Sequence, residues 1–550
     1  MLKSKITLLF FSSLLIVQFL FAQRTLSKEL LAKIDEVALM DVPTDAPGVA
    51  VGIVENGKII YTRYGGYANL ETEVKIGPDV RFNIASNGKQ FTALAILKLI
   101  DQGKIQLSDD IRKFFPDMYT KITDPITIEH LITHTSGVRD ISHLLTLQTI
   151  KWWKQNLNNK DIIDILQKQE ALNFKPGSQF LYSNSNYVLL AEIVEKVSNK
   201  SFRVFTDQMF QDLGMPNTSF ETNHKNIKGP IAKPYFNFDS WSTYEWIWDG
   251  VGDGNLFTTL IDQMRWEQIL QGMETDALSS EAIQLSQQPI CDKVDYGYGL
   301  EFSTYNGEKS VYHHGSTGAW KATFLRFPEL KLSIITMSNS GKTIVENQNQ
   351  KVADLLLMGE EKEGTTSSLI LQPEKIGPFV SDDQLLGNYQ TETGFLFRFV
   401  QKKDGIYLLR NGRNDTKLIR EEDNIFHQWN DPTFKQEFTQ NEKGEWMVTA
   451  YHTSHNPYSL TKIEADFSNF NPEHLQGTFL NEETGVVMKI EHKGDNKFKL
   501  QFRNSTIDGI LLTPNEMLVQ SYKLKFNTEE QLTSIYLDGG RIKNVLFARQ

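Results

Sequence analysis

The chain reads Phe82-Asn83-Ile84-Ala85-Ser86-Asn87-Gly88-Lys89-Gln90-Phe91-Thr92-Ala93-Leu94-Ala95-Ile96-Leu97 in its first third, and the rest of the sequence can be understood around this segment. From Gln90 to Ile100 nearly every residue is apolar or small, and Gly103 follows shortly afterwards. This pattern predicts a helix that is buried on most of its surface and ends near a glycine. Ser86 then lies at or near the first turn, where unpaired backbone N–H groups and the positive end of the helix dipole are found.

Ser86 and Lys89 are three positions apart and therefore share one face of that first turn. A serine hydroxyl is a weak nucleophile at neutral pH until a neighbouring group takes its proton. A lysine can take it only where burial or nearby charge lowers its pKa. The spacing fits a nucleophile with its base, but taken on its own the pair is explained better by a helix N-cap beside a solvated lysine.

The composition is that of a soluble protein with more than one domain. The chain has 550 residues, of which 40% are hydrophobic and 23% are charged, and this length predicts two or three domains. The formal net charge of −11 argues against nucleic acid or an anionic membrane as a main partner.

The single cysteine, Cys291, excludes an internal disulfide, and we interpret it as structural because no metal-ligand spacing surrounds it.

Residues 1–22 have the pattern of a secretory signal peptide. Two lysines precede an apolar run from Ile6 to Phe21, and Ala22 is followed by a polar segment. The alternative is an uncleaved membrane anchor, but a helix needs about 20 apolar residues to span a bilayer. We therefore expect an exported protein, periplasmic or secreted, without a stable membrane span.

The segment 23–358 has the pattern of an α+β domain. Alternation of apolar and polar residues predicts five strands, at 48–54, 58–63, 310–313, 323–327 and 331–337. The long segment between the second and third of these strands has mainly helical periodicity. We therefore predict an antiparallel five-stranded sheet flanked by helices, with an all-helical lobe inserted between its strands.

Beyond residue 358 the pattern changes. Residues 359–380 show no apolar periodicity and are predicted to form a linker. Short alternating strands follow, and the sequence at 385–389 resembles that at 475–479. The repeat predicts two antiparallel β-barrel-like (lipocalin-like) modules, at 381–465 and 466–550, although two halves of one barrel would produce the same repeat.

Residues 240–249 are unusually rich in aromatic side chains, with Trp241, Tyr244, Trp246 and Trp248. An aromatic edge packed on the core would explain this cluster. One wall of a substrate cleft would explain it as well.

Three motifs give the chain its resemblance to a known family, and they follow one another in the family's order. They are Ser86-x-x-Lys89, Tyr182-x-Asn184 and His313-x-Gly315. In this combination the chain resembles the serine β-lactamases and the penicillin-binding-protein-like hydrolases. It looks most similar to class C β-lactamases, their esterase relatives and D-aminopeptidases, and the resemblance covers about residues 29–358.

The resemblance implies a catalytic role for three residues. Ser86 would be the nucleophile and would form an acyl-enzyme. Lys89 and Tyr182 would share the Ser86 proton and later return it to the leaving group and to water. A nearby ammonium group is expected to lower the pKa of the Tyr182 phenol for this purpose.

The resemblance also implies substrate-binding residues. Asn184 would bind the substrate amide and help to orient Lys89. The backbone N–H groups of Ser86 and Ser316 would form an oxyanion hole, and His313 and Gly315 would lie beside it. His134 and His314 are interpreted as structural, and neither a metal nor a cofactor is implied.

Two departures from the family pattern bear on the substrate. The Lys-Thr-Gly of true β-lactamases is His313-His314-Gly315 here, so a permanent cation is replaced by a group that is mostly neutral at pH 7. This change favours esters, amides or peptides that carry a free amine or no charge. The second departure is the pair of C-terminal modules, which ordinary β-lactamases lack. In this respect the chain resembles D-aminopeptidases and some related peptidases, whose barrels can reach over the active site.

The function expected from this resemblance is that of an exported serine hydrolase. A peptidase or amidase for D-residue or cell-wall-type peptides, or an esterase, fits best. A true β-lactamase and a non-catalytic cell-envelope binding protein on the same scaffold stay open as alternatives. The expected partners are small-molecule, peptide or ester substrates, and the sequence does not set the oligomeric state.

Overall fold

The structure is a computed structural model of the chain. It describes residues 26–290, 294–358, 379–391, 394–410, 414–452, 455–494, 497–502, 505–527 and 532–550. The predicted signal peptide at 1–22, most of the predicted linker, at 359–378, and Cys291 lie outside the described residues.

The helices begin and end at residues suited to those positions. Ser27 accepts a hydrogen bond from the Leu30 N–H at the start of the first helix, and Thr259 does the same for Asp262 further on. Asn199 ends another helix with a φ of 55°, the left-handed conformation that commonly terminates helices. In the described residues the α-helices are α1 (Lys28–Ala38), α2 (Lys89–Asp101), α3 (Ile128–Ile132), α4 (Ile141–Leu147), α5 (Asn159–Leu166), α6 (Asn184–Ser198), α7 (Phe202–Asp212), α8 (Leu260–Leu270), α9 (Ser280–Leu285), α10 (Val345–Met358) and α11 (Asp382–Leu385).

Strands of the first domain form one large sheet and several small pairings. They are β1 (Val49–Glu55), β2 (Lys58–Gly65), β3 (Tyr67–Asn69), β4 (Val74–Lys75), β5 (Phe82–Asn83), β6 (Ser219–Phe220), β7 (Tyr235–Asn237), β8 (Trp241–Thr243), β9 (Leu256–Thr258), β10 (Tyr296–Gly297), β11 (Leu300–Tyr305), β12 (Glu308–Thr317), β13 (Trp320–Phe327) and β14 (Leu332–Ser338). Within the described residues the large sheet is antiparallel and has seven strands in the order β10-β11-β12-β13-β14-β1-β2.

The predicted fold class is confirmed, with one correction to the sheet. The prediction of five strands is too low, because β10 and β11 extend the sheet beyond β12. These two strands are joined at Tyr298 and Gly299, whose φ angles are 52° and 78°. A hairpin with only two residues in its first strand and a tyrosine in its turn leaves little pattern in the sequence.

The sheet is covered by helices on both faces. Val49, Val51 and Ile53 of β1 belong to the hydrophobic cluster of α1 and α10. Ala50 and Val54 of the same strand belong to the cluster that includes α2 and α8. This alternation is the period of two expected for a strand buried on both faces.

Helix α2 lies between the sheet and the mainly helical lobe. All but three of its residues are buried, and it contacts α6 of the lobe. The residues at the beginnings of α2 and α6 therefore approach each other. Among the described residues, no helix is both long and apolar enough to cross a membrane.

Two closed antiparallel barrels follow, each of eight strands. The first contains β15 (Gly387–Gln390), β16 (Leu396–Lys402), β17 (Gly405–Leu409), β18 (Thr416–Arg420), β19 (Ile425–Gln428), β20 (Asp431–Gln440), β21 (Trp446–His452) and β22 (His455–Lys462). The second contains β23 (Gly477–Asn481), β24 (Val486–His492), β25 (Lys497–Phe502), β26 (Ser505–Thr513), β27 (Glu516–Val519), β28 (Tyr522–Lys525), β29 (Ser534–Gly539) and β30 (Ile542–Arg549).

The sequence repeat marks the first strand of each barrel. Tyr389 and Phe479, which correspond in the repeat, are both fully buried, and each is paired with the last strand of its own barrel, Tyr389 with Lys462 and Phe479 with Arg549. The alternative of two halves of one barrel is therefore wrong. The domain boundaries at 358, 380 and 465 stay predictions.

Candidate active site

Ser86 lies on a tight 3₁₀ turn, Ala85–Gly88, that leads directly into α2. Ala85 has a φ of 49°, and a non-glycine residue in this left-handed region costs roughly 1–3 kcal/mol. The turn is fixed to neighbouring strands: the Ile84 N–H donates to the Leu256 oxygen at 3.0 Å, and Asn87 Nδ2 donates to the Ala322 oxygen at 3.0 Å. Ser86 is therefore presented by a strained but firmly held turn.

Lys89 is fully buried, and three oxygen atoms surround its side-chain nitrogen. Nζ lies 3.1 Å from Ser86 Oγ, 2.9 Å from Asn184 Oδ1 and 2.5 Å from the backbone oxygen of Asp253. Burial lowers the pKa of Lys89 to about 8, against the opposing effect of the Asp253 charge and with a smaller contribution from Arg541. The neutral amine, which is the form that can accept a proton from Ser86, is therefore accessible near neutral pH.

Tyr182 contacts both Ser86 and two cations. Its hydroxyl hydrogen-bonds with Ser86, and its ring centroid lies 5.0 Å from Lys89 Nζ and 4.5 Å from Arg541 Cζ. Burial raises the pKa of Tyr182, although the hydrogen bond with Ser86 and the charge of Arg541 act in the opposite direction. The expectation of a lowered phenol pKa is therefore wrong, since burial outweighs the neighbouring charges. Tyr182 keeps its proton in the resting site.

The ring of His134 packs against the ring of Tyr182. The two ring centroids are 4.3 Å apart. His134 Nδ1 accepts hydrogen bonds from the Ser183 N–H at 3.2 Å and from Asn186 Nδ2 at 3.0 Å. Burial lowers its pKa well below the usual value, so this histidine is a neutral packing partner of the phenol ring.

His313 belongs to the same buried layer. Its Nδ1 donates to the His314 oxygen at 2.8 Å, which leaves Nε2 to accept from the Tyr296 hydroxyl at 3.1 Å. Burial, assisted by the charge of Lys89, lowers the pKa of His313 to about 3. Its ring centroid is 6.2 Å from that of Tyr182. The structure thus places His313 behind Tyr182, with both ring nitrogens bonded inside the protein.

Gly315 allows β12 to approach the turn that carries Ser86. A Cβ atom at this position would lie 2.2 Å from the Ile84 oxygen and 2.8 Å from Asn87 Nδ2, so a larger residue would force the strand away. The close approach brings the next residue, Ser316, into the same cavity as Ser86. Gly315 therefore acts through backbone packing, and Ser316 and Thr317, the last two residues of β12, line the cavity.

Asn184, the first residue of α6, is held in place by Asp140. The Asn184 N–H donates to Asp140 Oδ2 at 2.7 Å, and its side-chain oxygen is left to accept from Lys89. Asp140 is fully buried and also accepts from His143 Nδ1 at 3.0 Å. Burial alone would raise the pKa of Asp140, but the His143 hydrogen bond and the charge of Arg541 lower it, so it is a carboxylate at neutral pH.

A cavity of about 220 Å³ opens at Ser86. Its lining includes Ser86 with neighbouring polar residues and a set of large apolar side chains, namely Ser86, Asn184, Asp253 and Ser316 together with Leu145, Trp152, Trp246 and Trp248. Trp152 and Trp248 pack edge to face with ring centroids 6.1 Å apart. Two aromatic residues of the 240–249 cluster thus form a wall of the cavity, which favours the cleft interpretation of that cluster.

A hairpin of the second barrel reaches the same site. Gly540, in the turn between β29 and β30, packs so tightly that a Cβ atom would lie 2.1 Å from His143 Nε2. Arg541 Nη1 lies 3.8 Å from Asp140 Oδ2. The second barrel therefore supplies a charged side chain to the candidate active site.

This docking is anchored by Arg139, whose side chain is fully buried. Its guanidinium forms an ion pair with Glu483 of the second barrel and donates to the Asn544 oxygen at 3.0 Å. Asn173 makes the neighbouring contacts, accepting from the Lys543 N–H at 2.6 Å and donating to the Arg541 oxygen at 3.1 Å. The hairpin is thus held mainly through its backbone.

The structure brings most of the sequence-predicted site residues together. Ser86, Lys89, Tyr182 and Asn184 meet through the hydrogen bonds given above, and Ser316 lines the same cavity. Three residues that touch them were missed by the sequence analysis: Asp140, Asp253 and Arg541. The glycines on either side of Asp253 hinted at a close backbone approach, whereas the other two carry no local signal. In the described part of the chain, no cluster of three or more His, Cys, Asp or Glu residues could hold a metal ion.

Comparison with protein families gives a match to the Beta-lactamase family over residues 37–358. Protein flp of Staphylococcus aureus (strain MRSA252) is 28% identical over 330 residues, which are 56% of this chain and 63% of that protein. Penicillin-binding protein 4* of Bacillus subtilis (strain 168) is 26% identical over 383 residues, which are 64% of this chain and 82% of that protein. The chain therefore spans less than two thirds of the length of flp.

Solved structures share the fold. A penicillin-binding protein homologue from Pyrococcus abyssi, described as octameric, matches with a TM-score of 0.56 at 23% identity, over 87% of this chain and 99% of that one. A D-amino acid amidase from Ochrobactrum anthropi SV3 matches with a TM-score of 0.50 at 18% identity, over 60% of this chain and 99% of that one. At these identities the likeness shows the fold alone.

Proposed function

Because the chain belongs to the Beta-lactamase family through residues 37–358, whose members are serine hydrolases, we propose that it is an exported serine hydrolase that works through an acyl-enzyme on Ser86. One observation carries this proposal. A fully buried lysine with a pKa lowered to about 8 lies 3.1 Å from the serine hydroxyl oxygen. A buried base next to a serine on a strained turn is the arrangement that nucleophilic catalysis needs.

Acylation uses the three groups that meet at the turn. Neutral Lys89 takes the proton of Ser86 Oγ, and the oxygen attacks the substrate carbonyl. The backbone N–H groups of Ser86 and Ser316 stabilise the negative charge that develops on the carbonyl oxygen. Tyr182, which keeps its own proton at rest, gives that proton to the leaving group and recovers one from the Lys89 ammonium.

Deacylation runs through the same groups with water in place of the leaving group. Neutral Lys89 takes a proton from Tyr182, which in turn takes one from the water. The hydroxide attacks the ester carbonyl, and the Lys89 ammonium returns its proton to Ser86 Oγ as that oxygen leaves. Asn184 holds Lys89 through its side-chain oxygen at 2.9 Å and is available at the cavity to bind a substrate amide.

The proposed substrates are peptides or amides containing D-residues, of the cell-wall type, or esters. The apolar wall formed by Trp152, Trp246 and Trp248 suits a bulky acyl group. The absence of a lysine at the His313 position argues against the substrate preference of a true β-lactamase. The shared fold with a D-amino acid amidase is consistent with an amide substrate. The signal-peptide pattern of residues 1–22 supports a periplasmic or secreted location.

Labelling with a fluorophosphonate tests the nucleophile directly. We expect intact-protein mass spectrometry to show one adduct on the wild-type protein, peptide mapping to place it on Ser86, and Ser86→Ala to remove it. Ser459→Ala is a matched control, because Ser459 precedes Lys462 with the same spacing but lies on β22 of the first barrel. A folded protein that never acquires the adduct would contradict the proposed function.

A panel of three chromogenic substrates then identifies the reaction. It consists of a p-nitrophenyl ester, a D-alanyl p-nitroanilide and a cephalosporin, each tested with the wild-type protein and with Ser86→Ala. Turnover of the ester or the anilide that depends on Ser86 supports the proposal. Turnover of the cephalosporin alone would favour the β-lactamase alternative, and ligand binding without turnover of any of the three would favour a binding protein.

A further inference from the structure

Among the described residues of the second barrel, Arg541 places a charged side chain against the ring of Tyr182. It stands in the turn between β29 and β30, its Cζ lies 4.5 Å from the centroid of the Tyr182 ring, and its Nη1 lies 3.8 Å from Asp140 Oδ2. The same Asp140 oxygen accepts the backbone N–H of Asn184 at 2.7 Å. The guanidinium therefore lies beside the start of α6, next to two residues of the proposed site.

The guanidinium of Arg541 keeps donors available for a ligand. Its side chain is 38% exposed, whereas Asp140 is completely buried. The 3.8 Å separation between the two is longer than a hydrogen bond. Asp140 in turn is already satisfied by hydrogen bonds from Asn184 and His143. An arginine presents five N–H donors in a planar fork that matches a carboxylate.

The side chain of Arg541 is also not needed to hold the hairpin. Docking uses the backbone oxygens of Arg541 and Asn544 and the backbone N–H of Lys543, which bond to Asn173 and Arg139. The close contact with His143 is made by Gly540. A long, partly exposed cation placed at a reactive site by a backbone-anchored turn is suited to binding substrate.

We propose that Arg541 is a specificity-determining residue that binds a carboxylate group of the substrate. The inference rests on the proposed serine hydrolase function and names a feature of its substrate. The sequence predicts the loss of a fixed cation, because His313 stands where true β-lactamases have lysine. The second barrel supplies such a cation from a different direction, so the expected preference for neutral or amine-bearing substrates is replaced by a preference for an anionic one.

Paired esters that differ by one carboxylate test this proposal. The first pair is p-nitrophenyl valerate and mono-p-nitrophenyl glutarate, which place a methyl or a carboxylate at the end of the same acyl chain. The second pair is the phenylacetate esters of phenol and of 3-hydroxybenzoic acid, which place the carboxylate on the leaving group. Values of kcat and KM are measured on the full-length protein as wild type, Arg541→Gln, Arg541→Lys and Lys543→Gln.

We expect Arg541→Gln to lower kcat/KM for one of the two anionic esters about 10- to 100-fold, mostly through KM, because a hydrogen-bonded charge pair is lost. Both neutral esters should stay within about threefold of wild type, because the backbone contacts that dock the hairpin are unchanged. Arg541→Lys should retain part of the preference, and Lys543→Gln, which removes the same charge two residues away, should behave like wild type. The affected pair shows which end of the substrate carries the carboxylate.

Two results would overturn the inference while leaving the proposed function intact. One is an equal loss for neutral and anionic esters in Arg541→Gln, which would assign Arg541 to positioning Tyr182 and Asp140. The other is unchanged kinetics for all four esters. Failure of the proposed function itself is seen separately, as a wild-type protein that hydrolyses none of the esters and is not labelled on Ser86.

Discussion

Lys89 Nζ lies 3.1 Å from Ser86 Oγ while the lysine side chain is completely shielded from solvent. Ser86 lies in the 3₁₀ turn directly before α2 and Lys89 is the first residue of α2, so the spacing of three residues along one continuous helical path sets their separation. Burial of the amine lowers its pKa towards neutrality. The pair therefore has a built-in dependence on pH, which provides the first prediction.

The rate at which Ser86 is acylated should rise with pH and level off above about 8. Lys89 accepts the proton only when it is neutral, and burial lowers its pKa from 10.5 to about 8. Below that value the rate constant should fall close to tenfold for each pH unit. The measurement is the second-order rate constant for fluorophosphonate labelling between pH 6 and 10. A constant rate across this range would show that Lys89 is not the base.

Tyr182→Phe should lower kcat/KM about 100- to 10,000-fold, the usual range for loss of a general acid–base group. The phenyl ring keeps its contacts with Lys89, Arg541 and His134, so the thermal unfolding midpoint should change little. Tyr296→Phe is the matched control, because its hydroxyl bonds to His313. Similar losses in the two variants would mean that packing of the aromatic layer, and not proton transfer, accounts for the effect.

Gly315→Ala should reduce both stability and activity. The added methyl group would lie 2.2 Å from the Ile84 oxygen, and overpacking of this kind costs roughly 1–3 kcal/mol. The displaced strand would carry Ser316 away from Ser86, and a shift of about 1 Å at such a site typically costs about 100-fold in rate. Ester kinetics and thermal unfolding measure the two effects.

Gly77→Ala is the control for that prediction, because a Cβ at Gly77 would meet no heavy atom within 4 Å. It should keep wild-type stability and activity. If Gly315→Ala behaved in the same way, the close approach of β12 would have no functional consequence.

Glu483→Gln should destabilise the protein by about 3–5 kcal/mol, since it leaves the buried guanidinium of Arg139 without its charge partner. The ion pair of Lys121 with Glu170 serves for comparison, because both of its side chains are more than half exposed. Lys121→Gln should change stability by about 1 kcal/mol or less. Chemical denaturation followed by tryptophan fluorescence compares the two, and equal small effects would show that Arg139 does not depend on Glu483.

The sequence is sufficient to predict those helices, strands and residue pairs that depend on contacts between neighbouring residues. The spacing of Ser86 and Lys89 determines that they meet, and the burial of α2 follows from its apolar run. The five predicted strands are all present in the sheet. Strand β10 escapes detection because two residues cannot show a period of two.

Other parts of the site depend on contacts between distant segments and could not be predicted. Asn173 binds the backbone of Arg541 across 368 positions, and no periodicity links the two. The direction of the Tyr182 pKa shift could not be predicted either, because burial of the phenol outweighs the opposing effects of the Ser86 hydrogen bond and the Arg541 charge. His313 was placed in the correct strand, but its orientation behind Tyr182 is set by the hydroxyl of Tyr296.

The backbone hydrogen bonds that hold the hairpin of the second barrel have an evolutionary consequence. Asn173 and Arg139 recognise main-chain atoms, which every amino acid possesses. A substitution at position 541 can therefore keep the hydrogen bonds that dock the second barrel on the first domain, and at the same time replace the side chain next to Tyr182. If the chain is the serine hydrolase proposed above, selection can change its substrate preference through this single position while Ser86, Lys89 and Tyr182 stay the same.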